Sequence, residues 1–293
     1  MKISQQLVLI SAIITFSKAV TADELDWSGA NISPINEMTI RAYGFKYNPT
    51  PDATYSIDFN FDEADRTFKP DMTTLISINN NQYTKANMTR GGQLYDQWWK
   101  VNGEPQPTGI YESYPQTGKQ TGSNTWRCQT CHGWDYKGKE GIYESGNNYT
   151  GIRGLYSVRE KSAAEIYEAI LTKGLPLSDQ DIWDLTRFLK EGQIDMNKYI
   201  IFYGDQSKSA TGNAANGQTL YEGKGQCLEC HGVDGNQKPS VSVGKAARDN
   251  PWEILHKIRF GQPGTQMPAA IKANLTVQEQ VDILTYAQTL SKN

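Results

Sequence analysis

Long apolar runs, basic clusters, cysteine and histidine are all scarce in this 293-residue chain. The stretch Leu7–Phe16 is about ten residues, roughly half of a bilayer crossing, and no later segment is apolar for long enough to span one. The mean hydropathy of −0.61 agrees. Without basic clusters, and with a formal charge of −3, nucleic acid is excluded as a partner. The four cysteines allow at most two disulfides, and their spacing argues against even those.

The first 22 residues, MKISQQLVLISAIITFSKAVTA, combine Lys2, the short apolar run and the small residues Ala19, Val20 and Ala22. That pattern predicts a secretory signal peptide over residues 1–22, cut before Asp23. Cleavage takes away Lys2 and Lys18 and no acid, moving the net charge from −3 to −5. The expected location is the periplasm, with no transmembrane anchor after cleavage.

All four cysteines and two of the three histidines fall into two CxxCH units, Cys128-Gln129-Thr130-Cys131-His132 and Cys227-Leu228-Glu229-Cys230-His231. In such a unit each thiol forms a thioether to one porphyrin vinyl and the adjacent imidazole turns onto the iron. A redox CxxC or a zinc site leaves the repeated histidine unexplained. Two covalent haem c groups are therefore expected.

The repeat extends beyond the motifs. Both continue as His-Gly-x-Asp, and Gly92-Gln93-Leu94-Tyr95 precedes the first as Gly217-Gln218-Thr219-Leu220-Tyr221 precedes the second. SAAEIYEAILT (162–172) pairs with PWEILHKIRF (251–260), and LSDQDIWDLTRFL (177–189) with LTVQEQVDILTYA (275–287). In the last pair Ser178 and Thr276 are natural N-caps, and Ile182, Leu185, Phe188 and Leu189 recur at helical spacing, as do Val281, Ile283, Leu284 and Ala287.

Each half thus reads as helix, haem motif, helix, helix, and over roughly 87–293 both resemble class I c-type cytochromes. The nearer resemblance is to periplasmic dihaem c-type cytochromes, whose enzymatic relatives include thiosulfate dehydrogenases. It implies a mainly α fold of two tandem cytochrome c domains, 87–203 and 204–293, with His132 and His231 as proximal ligands. In such domains the sixth ligand is usually a methionine on the loop before the last helix, and FGQPGTQMPA (260–269) supplies Met267. His256, mid-helix, is read as a residue of a helix face rather than a ligand.

The first half lacks that loop: Lys173-Gly174-Leu175-Pro176-Leu177 runs straight to Ser178, and no Met, His or Cys lies between His132 and Leu189. Met196 is the first choice for its sixth ligand, Met88 the second, with Lys173, Tyr149 or water as alternatives. Thiosulfate dehydrogenases use an axial cysteine, and this chain has none left.

Two segments have no counterpart in the second half. The Gly/Pro/Thr/Ser-rich stretch 101–126 is expected to be an ordered loop covering the first haem, packed by Tyr111, Tyr114 and Trp126. Residues 23–86 alternate instead, at Thr39, Arg41, Tyr43, Phe45 and Tyr47 and at Tyr55, Ile57, Phe59 and Phe61, with NPTPDA between. They predict a small β-hairpin extension that packs on the first haem domain or offers an edge to a partner. The acids Asp58, Asp62, Glu63 and Asp65 are read as a solvated strand face, because Glu63 stands where a calcium loop needs glycine.

The function expected is one-electron transfer between a redox-protein donor and acceptor, through two haems, with the Met267 side at the higher potential. Two rivals stand beside it. One is an oxidoreductase acting on a small inorganic substrate or peroxide at a labile first haem. The other is the haem subunit of a larger respiratory or sulfur-oxidising complex.

Overall fold

A computed structural model of the protein describes residues 25–26, 30–36, 38–47, 50–77, 80–203, 207–238 and 241–291. The expected signal peptide, residues 1–22, and residues 48–49 lie outside the described residues. Among the described residues the segments after Lys85 are mainly helical, and no helix is long and apolar enough to cross a membrane. Its contacts divide it into two units: residues up to Ala86 together with Ser162–Pro176, and Asn87–Lys161 together with Leu177–Asn293.

The first unit is built on more than a hairpin. Its antiparallel sheet contains β1 (Leu25–Asp26), β2 (Asn31–Asn36), β3 (Thr39–Tyr47), β4 (Thr50–Asp62) and β5 (Thr67–Ser77). β3 and β4 are the expected pair; β1 and β2 both pair with β3, and β5 pairs with β4. Pro34 and Pro70 weaken the strand signal of β2 and β5, yet outer strands tolerate proline because one row of their backbone groups needs no partner in the sheet.

A register shift between Tyr43 and Phe45 also changes the expected alternation. Ile40 and Ala42 face the core before it and Phe45 after it, joined by Ile57 and Phe59, because an inserted residue reverses strand parity. The acidic turn is closed internally. Asp62 accepts from the Ala64 and Asp65 amides, and Lys69 pairs with Asp62 at 2.6 Å and Asp65 at 2.5 Å, which supports the solvated reading over a calcium loop.

Helix α1 (Asn80–Lys85) ends the sheet segment. In the second unit α2 (Met88–Asn102), α3 (Cys128–His132) and α5 (Asp179–Arg187) carry the first motif. α6 (Ala214–Glu222), α7 (Leu228–His231), α8 (Val243–Asp249), α9 (Pro251–Phe260) and α10 (Val277–Thr289) carry the second. Between α5 and α6 lies a short ribbon, β6 (Ile200–Phe202) with β7 (Lys208–Ala210).

Helix α4 (Ala163–Leu171) forms as expected, with a Ser162/Glu165 capping box, but it clusters with the sheet. α9, its partner in the sequence repeat, lies in the second unit. The two segments share helical periodicity and not position.

The remaining repeat holds in three dimensions. α2 crosses α5, and α6 crosses α10, each at a glycine that lets backbones touch. A Cβ on Gly91 would come within 2.0 Å of the Asp184 carbonyl oxygen, and one on Gly217 within 1.9 Å of that of Asp282. The true counterpart of Gly217 is thus Gly91, one residue before the glycine that the sequence comparison pairs with it. Both crossings are fastened alike: the Asn87 and Asn213 amides donate to Asp184 and Asp282 at 2.7 Å. Ser178 and Thr276 head α5 and α10 with capping boxes.

Candidate functional site

Each CxxCH motif forms one helical turn ended by a left-handed glycine, Gly133 (φ 77°) or Gly232 (φ 73°). A helix from the same half holds that glycine: the Tyr95 hydroxyl donates to the Gly133 carbonyl at 2.6 Å, and Tyr221 to that of Gly232 at 2.8 Å. The aspartate of His-Gly-x-Asp then caps the following turn. Asp135 accepts from the Lys137 amide at 3.0 Å and Asp234 from that of Asn236 at 3.0 Å. The tyrosines of the sequence repeat were visible as letters; their role is visible only here.

None of the four cysteines is in a disulfide. Burial pushes the Cys128 thiol up to about 12 and those of Cys131 and Cys227 up to about 11. Such raised values argue against a thiolate nucleophile. Among the described residues no three His, Cys, Asp or Glu gather as a metal site.

The donor set does fit a haem. The thiols stand one turn apart with the imidazole next to the second, and His132 Nδ1 lies 2.7 Å from the Arg153 carbonyl oxygen. A carbonyl only accepts, so the proton sits on Nδ1 and the lone pair on Nε2, the arrangement that a metal-bound histidine uses. Arg153 is placed by its bridge to Gly138 and by the Lys139 amide bonding the Ile152 carbonyl. Sequence reasoning missed this contact, because a backbone carbonyl has no letter of its own. Burial lowers the pKa of His231, which favours the neutral imidazole that binds a metal.

Met267 is half-buried in a loop closed by its own turns. The Thr265 hydroxyl donates to the Gln262 carbonyl and accepts from the Met267 amide at 3.2 Å, while Gly261 and Gly264 take positive φ. Met196 differs: it is fully buried, in a short turn that starts at Asp195, which pairs with Lys137 at 2.7 Å. The 101–126 segment is ordered as expected. Tyr111 packs on Trp126 with ring centroids 5.0 Å apart, and Thr117 bonds the Thr150 carbonyl, whose own hydroxyl donates to the Cys131 carbonyl at 2.8 Å.

His256 is no candidate ligand in this arrangement. Its Nε2–H donates to the Gly92 carbonyl at 2.9 Å and its Nδ1 accepts from the Tyr136 hydroxyl at 2.7 Å. Instead of lying on an open helix face, it fastens α9 to α2. Burial, aided by Arg259, Lys257 and Arg127, pushes it down to about 3.

An unfolded histidine titrates near ~6.5, so below that pH the unfolded chain binds a proton that the folded one refuses. His256 therefore contributes stability fully above that pH and loses it as the pH falls, at up to about 1.4 kcal/mol per unit. Urea unfolding of the holoprotein at pH 7 and pH 5 should show this slope, and His256→Phe should flatten it. An unchanged slope in the variant would remove His256 as its source.

Comparison with curated proteins and with solved structures finds no match. Residues 212–286, which span the second motif and Met267, match the family described as "Cytochrome C oxidase, cbb3-type, subunit III". The match supports a cytochrome c domain over that segment, and such a domain implies covalently bound haem c, electron transfer and redox-protein partners.

Proposed function

We propose that both halves of the second unit are cytochrome c domains and that the protein is an exported, periplasmic dihaem electron carrier. Cys128 and Cys131 attach the first haem and Cys227 and Cys230 the second, with His132 and His231 as proximal ligands and Met267 as the distal ligand of the second. The observation that carries this reading is the repeated set of contacts around both motifs. Tyrosine on the post-motif glycine, aspartate on the following turn and the glycine crossing of first and last helices recur in the half without a family match.

Bound haem supplies a one-electron Fe(III)/Fe(II) couple. The protein's share is to hold the His132 imidazole in the binding tautomer, with the Arg153 carbonyl making it a stronger donor, and to offer a soft thioether to the second iron. Thioether ligation would raise the potential of that haem, which would favour electron flow from the first haem to the second.

A specific observation favours a second reading, chemistry on a small inorganic substrate or peroxide at the first iron. That half has no ligand loop, and Met196 is enclosed in the core.

Haem content tests the main proposal. The purified protein should carry two covalent haems per chain, and the Cys128→Ala/Cys131→Ala variant one, with the spectrum of the second retained. A single haem in the native protein would sink the dihaem reading.

A further inference from the structure

We propose that α2, the first helix of the first half, is a built part of the second iron's distal site, and that Gln93 positions the loop presenting Met267. The inference rests on the reading of Met267 as the second haem's ligand.

The loop leaves α9 at Phe260, whose carbonyl belongs to the last helical turn and so needs a donor from elsewhere. Gln93 Nε2 provides it at 2.8 Å. The next residue, Gly261, has φ 83°, and a Cβ there would stand 2.6 Å from the Met267 carbonyl oxygen and 3.1 Å from Gln93 Nε2. The root of the loop, the Met267 backbone and the Gln93 amide therefore meet at one point.

Farther along, a Cβ on Gly264 would lie 3.2 Å from Lys100 Cβ and 3.4 Å from its carbonyl oxygen, so the loop tip rests on the end of the same helix. Below the loop, α2 and α9 are locked by the His256–Gly92 bond and by close packing, since a Cβ on Gly92 would strike the Phe260 ring at 2.3 Å.

An iron–thioether bond persists only if the loop holds the sulfur in place without help from the bond itself. Here the backing for the loop comes from the other half. α2 also carries Tyr95, which grips the glycine after the first motif, so the part of α2 that precedes its kink at Gln97 contacts both haem sites.

The test uses the full-length dihaem protein with Gln93→Ala and the isosteric Gln93→Glu, whose carboxylate cannot donate to a carbonyl. The readouts are the far-red ferric thioether–iron band as pH is raised, and potentials resolved haem by haem. Losing one neutral hydrogen bond should raise the Met267-off fraction about fivefold, so that the band is lost at a lower pH. The second haem's potential should fall while the first haem's spectrum stays as it was.

Gln93→Lys, which keeps an N–H donor, should recover part of the effect. An unchanged band and unchanged potentials in both Gln93→Ala and Gln93→Glu, with the band absent from Met267→Ala, overturns the positioning role alone. A band that survives Met267→Ala overturns the ligand reading and this inference with it.

Discussion

Met267→Ala is expected to remove the far-red thioether–iron band and to lower the second haem's potential by on the order of 0.1–0.2 V, part of the roughly 0.8 V range that axial ligation spans. The cause is the preference of a soft thioether for ferrous iron; without it, water or hydroxide takes the position and favours the ferric state. The fold should survive, because the loop's turns run through Gly261, Gly264 and the Thr265 hydroxyl rather than through the methionine side chain. Met267 is also only half-buried, so little core packing is lost. Potentiometric titration followed haem by haem is the measurement, and an unchanged potential would take Met267 off the iron. A first haem that proved the higher of the two in the native protein would reverse the direction of electron flow proposed above.

Carbon monoxide added to the reduced native protein is expected to bind rapidly at one haem, the first, and slowly or not at all at the second. The side chain of Met196 is fully enclosed, in a turn tied to Lys137 through Asp195. Met196→Ala should therefore leave the fast carbon monoxide phase unchanged while lowering stability by about 2–4 kcal/mol, the cost of emptying a methionine-sized volume in a core. Stopped-flow mixing and urea unfolding read the two effects separately. If both native haems were inert and fast binding appeared only in Met196→Ala, the thioether would belong on the first iron and the protein would be an electron carrier alone. Rapid binding in the native protein leaves the first haem open to substrate chemistry.

The parts of this protein that were legible in the sequence share one property: their chemistry is complete within a short window. CxxCH places two thiols and an imidazole on one turn whatever surrounds it. Ser178 and Thr276 cap helices three residues from their partners. The alternation of Ile57 and Phe59 survives because the pairing of β4 with β3 is regular from Ser56 to Asn60. By contrast, the bulge after Tyr43 shifted the inward face of β3, and prolines hid two outer strands, so a five-stranded sheet read as a hairpin. Helix α4 looked like the counterpart of α9 because periodicity reports that a helix has an apolar side, not which core receives it.

The sequence by itself determined the two CxxCH motifs, the repeat around them, the helices and the position of Met267 on a loop. Only the tertiary structure decided that the Arg153 carbonyl selects the His132 tautomer, that His256 is a fastening between helices, and that Gln93 supports a loop root 167 residues away. The physical reason is that these interactions use backbone carbonyls, which every residue carries, and partners that packing alone brings together. Local chemistry is written in neighbouring letters, whereas the arrangement of donors around each haem motif exists only once the helices have crossed.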